Sequence, residues 1–143
     1  MGSSNDGGST HVTSFAFPLT GFVTVLSVLV TFWTSFLVAR ARAKFQVPAP
    51  ATTGPDDFQR VMRIQMNTVE QIVIFMPMLW LFAALAGDGW AALAGILWPI
   101  GRVLYAQGYA AAAEKRSRGF GVTIVSTALL TFGSLILLII RAL

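Results

Sequence analysis

Four apolar stretches separated by short polar connections dominate the pattern of this chain. They cover residues 15–39, 57–86, 90–113 and 120–140. The first and the fourth carry no charge and reach the roughly 20 residues that a helix needs to cross a bilayer. The pattern predicts an all-α membrane protein, a four-transmembrane-helix bundle whose helices cross in alternating directions.

The polar segments between these stretches predict the domain organisation. Residues 1–12 are rich in Gly, Ser, Asn and Asp and predict a disordered lead-in. A single transmembrane domain is expected over residues 13–143. Within it, a polar connection spans 40–57, a tight turn lies at 87–89, and a basic connection spans 114–119.

The basic residues of the chain predict its orientation. They cluster around the two longer connections, whereas the turn near Asp88 has none. Lys and Arg favour the cytoplasmic ends of membrane helices. We therefore expect an integral, multi-pass membrane protein with both basic connections toward the cytoplasm and with both termini and the Asp88 turn outside.

The second apolar stretch begins with polar residues on one helical face. Arg60, Arg63, Asn67 and Glu70 fall at i, i+3, i+7 and i+10. The uncharged run from residue 71 to residue 87 is too short to cross alone, so the polar end must enter the membrane. An ionisable side chain there costs about 2.5–3.5 kcal/mol, which predicts that these residues line a site or pair with a partner.

The third stretch carries a similar polar face. Arg102, Tyr105, Tyr109 and Arg116 repeat at helical spacing, and Arg102 interrupts an apolar run at membrane depth. A tight hairpin about residue 88 would bring Glu70 level with Tyr105. The two polar faces are then expected to meet in the cytoplasmic half of the bilayer.

The sequence leaves two interpretations of the contact between these polar faces. An ion pair between Arg102 and Glu70 could simply hold the second helix against the third. The other arginines outnumber the carboxylates near them and predict a cationic pocket for an anion. These arginines are Arg42, Arg60, Arg63 and Arg116.

Composition narrows the functional classes. The chain is 55% hydrophobic and 11% charged, and its mean hydropathy is +0.71, which fits a membrane protein rather than an ordinary soluble domain. The net charge of +4 belongs to residues that flank apolar spans, so no nucleic-acid partner is predicted. Because the chain has no cysteine, it offers no thiol nucleophile or thiolate ligand, and no metal site is expected.

The motifs in this region resemble those of the MAPEG family, the membrane proteins that include the microsomal glutathione transferases. The first motif is Thr52-Thr53-Gly54-Pro55 followed by Phe58-x-Arg60-Val-x-Arg63-x-Gln65-x-Asn67-x-x-Glu70. The second is Arg102-x-x-Tyr105-x-Gln107-Gly108-Tyr109. The resemblance covers about residues 42–116 and is specific, because several motifs occur in the same order.

This resemblance implies a homotrimer that binds glutathione as co-substrate at each subunit boundary. One subunit would hold glutathione through Arg63, Asn67, Glu70, Tyr105 and Tyr109. Arg42 and Gln65 would reach in from the neighbouring subunit. Arg116 would be the catalytic residue that stabilises the glutathione thiolate, and Arg60, Arg102 and Gln71 could give supporting contacts.

The implied function is a membrane glutathione transferase. It would conjugate glutathione to lipophilic electrophiles, or reduce lipid hydroperoxides, that arrive from the membrane lipid. Gln71 stands where the related branch often has tyrosine, so the resemblance does not carry over that residue's hydrogen bond to glutathione. Ala43 stands where the leukotriene-forming members have a second arginine, which argues against leukotriene synthesis. Two alternatives remain: a non-catalytic member that binds and presents lipid, and a small multidrug-type transporter.

Overall fold

The computed structural model describes residues 15–143, which form helices and loops without any strand. The helices are α1 (Pro18–Phe45), α2 (Asp56–Ala86), α3 (Asp88–Gly95), α4 (Leu97–Ala111) and α5 (Ser117–Ala142), and a 3-10 turn at Ala113–Arg116 precedes α5. The predicted all-helical class is confirmed. The lead-in predicted for residues 1–12 lies outside the described residues.

The helices form a bundle with two distinct ends. Three segments are long and apolar enough to cross a membrane, namely Pro18–Phe45, Asp56–Ala86 and Ala113–Ala142. Together α3 and α4 occupy the place of the predicted third crossing. We call the end with Gly87 and Asp88 the turn end, and the end with the connections at 46–55 and 112–116 the basic end.

The prediction of a single third helix over residues 90–113 is wrong, because the helix is interrupted at Ile96, between α3 and α4. Pro99 has no amide hydrogen to donate to the carbonyl one turn earlier, and this weakens the helix there. The break is supported from α5, where the hydroxyl of Ser126 donates to the Ala94 carbonyl at 2.7 Å. Gly95 allows close packing, since a Cβ there would lie 2.6 Å from the Leu79 side chain.

Two predicted helix limits at the basic end are also wrong. The first helix continues past residue 39 to Phe45, and its C-cap is the left-handed Gln46 with φ 55°. Arg42 and Lys44 lie in its last turn, where positive charge interacts favourably with the helix dipole. The last helix begins at Ser117 rather than at residue 120. Basic residues that were expected in loops are therefore held on helices.

Asp88 fastens the turn end of the bundle. Its carboxylate accepts hydrogen bonds from the backbone amides of Leu19 at 3.0 Å and Thr20 at 2.7 Å. Asp88 therefore caps the N-terminus of α1, although it is distant from α1 in the sequence. Desolvation raises the pKa of Asp88, but the bonds from these two amides outweigh it and hold the pKa below its ordinary value. Nearby, Arg141 donates to the Leu85 carbonyl at 2.7 Å and ties α5 to the end of α2.

The main apolar core lies toward the turn end. Phe75 of α2 stacks on Trp98 of α4 with ring centroids 4.8 Å apart, and Val23, Leu79 and Leu130 are fully buried around them. The outer faces of the helices remain apolar, with large exposed side chains such as Phe32 on α1. An apolar core inside an apolar outer surface is what a protein dissolved in lipid requires.

Candidate functional site

A cavity of about 660 Å³ opens at the basic end between α2, α4 and the start of α5. Six of the residues predicted for the glutathione site line it together: Arg63, Asn67, Glu70, Tyr105, Tyr109 and Arg116. These residues come from three separate elements, so the bundle brings together groups that lie up to 53 positions apart in the chain.

One wall of the cavity is the polar face of α2. Arg63, Asn67 and Glu70 lie on successive turns, as their spacing predicts. Arg63 and Glu70 are exposed, and Asn67 donates from Nδ2 to Glu70 Oε2 at 3.5 Å. Glu70 is the sole carboxylate among the lining residues, and Arg63 and Arg116 are the two cations. The cavity therefore carries excess positive charge with one acidic group inside it.

The opposite wall is formed by two tyrosine rings, with an arginine packed against each of them. The guanidinium of Arg102 lies 4.1 Å from the centre of the Tyr105 ring, and Arg116 lies 4.9 Å from that of Tyr109. The two tyrosine rings are 5.6 Å apart. Both tyrosines are nearly buried, which fixes their positions. Cation–π contacts of this kind hold Arg116 at the rim of the cavity.

Glycines let α5 come close enough to complete the cavity. A Cβ on Gly119 would collide with the backbone of α4 at Tyr105, and a Cβ on Gly108 would collide with the Lys115 carbonyl. At both positions only glycine fits without moving the backbone. This close approach folds the 3-10 turn back over the end of α4, so that Arg116 reaches the Tyr109 ring.

Arg102 lies beneath the cavity rather than in it, and its side chain is fully buried. It donates from Nη1 to Asn67 Oδ1 at 3.2 Å and from Nη2 to Thr68 Oγ1 at 2.8 Å. The predicted alternative of an Arg102–Glu70 ion pair is wrong, because in the described part of the chain the single ion pair joins Arg60 to Asp57. Neutral oxygens and the Tyr105 ring thus surround this cation.

The helical register at the turn end also differs from the prediction. The predicted hairpin had a three-residue turn, whereas α3 begins at Asp88 and leaves Gly87 alone between the helices, at φ 98°. The shorter turn moves α4 toward the basic end, which is why Phe75 meets Trp98 rather than a residue further along. The shift alone does not select the partner of Arg102: Glu70 is exposed on α2, whereas Arg102 donates to the buried Thr68 and to Asn67.

Arg42 and Gln65, which were also predicted to bind glutathione, do not line this cavity, although Arg42 lies 4.0 Å from the sulfur of the lining residue Met62. Arg42 donates to the carbonyls of Val47 at 3.3 Å and Ala51 at 2.8 Å, and so orders the connection between α1 and α2. Gln65 lies two residues from Arg63, roughly 200° around the helix, so it faces away from the cavity.

The three residues predicted to give supporting contacts, Arg60, Gln71 and Arg102, lie in different surroundings. Arg60 is paired with Asp57 near the start of α2. Gln71 is half-buried and does not line the cavity. Of the three candidates, Arg102 alone touches side chains that do line it, namely Asn67 and Tyr105.

Three threonines contribute to the region without having been assigned a role from the sequence. Thr52 and Thr53, in the connection before α2, line the cavity mouth. Thr68 anchors Arg102 while donating its own hydroxyl to the Ile64 carbonyl at 2.7 Å. The first two belong to the motif Thr52-Thr53-Gly54-Pro55, which was the available signal for them. Thr68 had no such signal, because its role depends on the register of α4.

The sequence is similar to those of known proteins. The family model described as MAPEG family matches residues 20–136. A Synechocystis protein described as uncharacterized protein sll1147 is 46% identical over 114 residues, which cover 80% of this chain and 83% of that protein.

Two animal relatives have named activities. Bovine leukotriene C4 synthase is 42% identical over 94 residues, covering 66% of this chain and 63% of the synthase. Human microsomal glutathione S-transferase 2 is 38% identical over 109 residues, covering 76% of this chain and 74% of the transferase. The match to the synthase thus spans somewhat less than two thirds of its length.

Proposed function

Because the chain belongs to the MAPEG family, we propose that it is an integral membrane glutathione transferase, which joins glutathione to lipophilic electrophiles or uses it to reduce lipid hydroperoxides. The observation that carries this proposal is the cavity that gathers Arg63, Asn67, Glu70, Tyr105, Tyr109 and Arg116. Its charges complement glutathione, which has two carboxylates and one ammonium group.

Two of the three charged groups of glutathione have a matching side chain in this cavity. The exposed guanidinium of Arg63 binds a carboxylate, for which its planar pair of donors is suited. Glu70 accepts from the ammonium group. Asn67, whose Oδ1 already accepts from Arg102, directs its amide donor into the cavity. The two tyrosines form the wall against which the thiol end of the tripeptide rests.

Arg116 stabilises the thiolate in this proposal. A free thiol has a pKa of about 8.5 and is mostly protonated at neutral pH. A guanidinium beside the sulfur lowers that pKa and raises the fraction of nucleophile. In conjugation the thiolate forms a carbon–sulfur bond as the leaving group departs with its electron pair. In peroxide reduction two glutathione molecules become one disulfide as the hydroperoxide yields an alcohol and water.

The proposal includes a homotrimer with the site at the subunit boundary. Gln65 faces away from this cavity, and Arg42 lies behind it, 4.0 Å from the sulfur of the lining residue Met62. In this proposal both side chains serve the site of a neighbouring subunit. The apolar second substrate would enter from the lipid at the same boundary. We also propose that the basic end faces the cytoplasm, where glutathione is abundant, because its basic side chains favour that side.

The test is turnover by the purified protein in detergent. Glutathione and 1-chloro-2,4-dinitrobenzene are supplied, and the thioether product is followed by its absorbance. Cumene hydroperoxide with a coupled measurement of glutathione disulfide tests the peroxidase reaction. If neither product forms above the uncatalysed rate while glutathione binds, the lipid-presenting alternative is favoured. If glutathione does not bind either, the transferase proposal fails.

A further inference from the structure

A second cavity, of about 520 Å³, lies at the basic end on the other side of α2. It is enclosed by the last turns of α1, the first turns of α2 and the end of α4. The α2 residues that line it include Val61 and Ile64, which lie roughly 140° around the helix from Arg63 and Glu70. This cavity is therefore separate from the proposed glutathione site.

The polarity of this second cavity changes along the axis of α1. On α1, Leu37, Arg40 and Lys44 fall at i, i+3 and i+7 and line it from one face. Leu37 and Lys44 are about 10 Å apart along the helix axis. The inner part is apolar, with Val61 and Ile64 from α2, and both cations lie toward the basic end. A phospholipid has the same order of apolar chain and charged head.

The two cations at the mouth are available to a ligand. Arg40 and Lys44 are exposed and make no hydrogen bond or ion pair with any side chain in residues 15–143, although Lys44 lies 4.9 Å from the Phe45 ring centre. Asp57 also lines the mouth, but Arg60 neutralises it. The mouth thus has an excess of positive charge that suits a phosphate group.

The outer surface of α1 beside the cavity is apolar. Phe36, next to the lining residue Leu37, is 59% exposed, and Phe32 one turn earlier is 68% exposed. Large apolar side chains on the outside of a membrane helix are solvated by acyl chains. A lipid in the bilayer can therefore enter sideways without crossing water.

We propose that this cavity binds one anionic phospholipid, with its phosphate between Arg40 and Lys44 and an acyl chain against Leu37 and Val61. The proposal rests on the cavity, its polarity gradient and its unpaired cations. It does not depend on the transferase activity, because the site lies on a different face of α2 and its occupancy is measured without glutathione.

The test is native mass spectrometry of the protein in mild detergent with added phosphatidylglycerol or phosphatidylcholine. The wild-type chain should retain one phosphatidylglycerol and much less phosphatidylcholine. The double variant Arg40→Gln/Lys44→Gln should lose retention by about tenfold or more, because both phosphate contacts are removed. The matched control Lys115→Gln/Arg118→Gln removes two cations from the same end outside the cavity and should retain the lipid.

A third variant separates a cavity from mere attraction to a charged surface. Ala110 is exposed and lines the cavity, so Ala110→Leu fills space while leaving both cations in place. It should lose the lipid at an unchanged melting temperature. Retention by Ala110→Leu, retention by the double variant, or equal retention of phosphatidylcholine would each overturn the proposal. A change in subunit number in the double variant, with lipid retention unchanged, would instead identify this face as a contact between copies.

Discussion

Replacing Arg116 with alanine tests the proposed source of the nucleophile. The guanidinium lies 4.9 Å from the centre of the Tyr109 ring, at the rim of the cavity. A thiolate resting beside this ring would be roughly 5 Å from the positive charge. At that separation two unit charges attract by about 3 kcal/mol at an effective dielectric constant near 20 and by about 1 kcal/mol in water.

The exposure of Arg116 places the expected effect toward the lower value. An attraction of about 1–2 kcal/mol lowers the thiol pKa by about one unit, from roughly 8.5 to roughly 7.5. At pH 7 this raises the thiolate fraction from about 3% to about 24%, a gain of roughly eightfold. The variant Arg116→Ala should lose about that factor in kcat at pH 7.

The pH profile identifies the cause of the loss. Because the wild-type thiol ionises at lower pH, its kcat should level off near pH 8, whereas kcat of Arg116→Ala should keep rising to about pH 9 and approach the wild-type value. The glutathione KM should change little, since Arg63 and Glu70 still hold the charged ends. The measurement is kcat at saturating glutathione across this range, together with the ultraviolet absorbance of the bound thiolate.

Two further variants control this experiment. Arg116→Lys keeps the positive charge and should keep most of the low-pH activity. Arg118→Ala removes an exposed cation that does not line the cavity and should leave the profile unchanged. If Arg116→Ala shows the wild-type pH profile and undiminished thiolate absorbance, Arg116 does not stabilise the thiolate, and the hydroxyl of Tyr105 becomes the next candidate.

Three other outcomes can be measured on single variants. Glu70→Gln should weaken glutathione binding by about 10- to 150-fold, because one charge-assisted hydrogen bond is lost. Titration calorimetry measures this affinity, and a lower melting temperature with unchanged affinity would contradict the role of Glu70. Gly119→Ala should lower the melting temperature sharply, because its methyl group overlaps the α4 backbone. The control Gly121→Ala places a methyl group with no neighbour within 4 Å and should leave the melting temperature unchanged. Equal melting temperatures for the two variants would refute the packing argument. Asp88 has a lowered pKa when folded, so its stabilising bonds to α1 are complete above about pH 4, the unfolded pKa, and are lost as the pH falls through the folded pKa. Asp88→Asn should therefore melt below the wild type at pH 7, and this difference should shrink in strong acid; a difference that stays constant with pH would exclude the carboxylate as its cause.

Helical periodicity was enough to predict the α2 wall of the cavity. Arg63, Asn67 and Glu70 belong to one uninterrupted helix, so their common face follows from spacing alone. The α4 wall was predictable for the same reason, since Tyr105 and Tyr109 both lie after the break at Ile96. Residues within one continuous helix keep their relative directions whatever the neighbouring helices do.

Contacts between helices could not be predicted in this way. The partner of Arg102 depends on which side of α2 meets α4, and spacing within one helix does not specify this. The turn before α3 affects only the relative depth, since a difference of two residues moves α4 by about 3 Å. The end of α1 was misjudged because Arg40, Arg42 and Lys44 suggest a loop by composition, although basic residues are favourable in the last turn of a helix. The cap that Asp88 provides for α1 joins residues 69 and 68 positions apart, beyond the reach of any local pattern.

The buried Arg102 connects the fold to the proposed chemistry through the orientation of one amide. Because Arg102 donates to Asn67 Oδ1, the Asn67 amide must present its Nδ2 donor toward Glu70 and the cavity. The α2 wall then offers donors at Arg63 and Asn67 and an acceptor at Glu70. This order matches a ligand with carboxylate and ammonium groups, and it would be lost if the amide turned over. A cation that never touches the ligand can therefore determine which end of the ligand binds where.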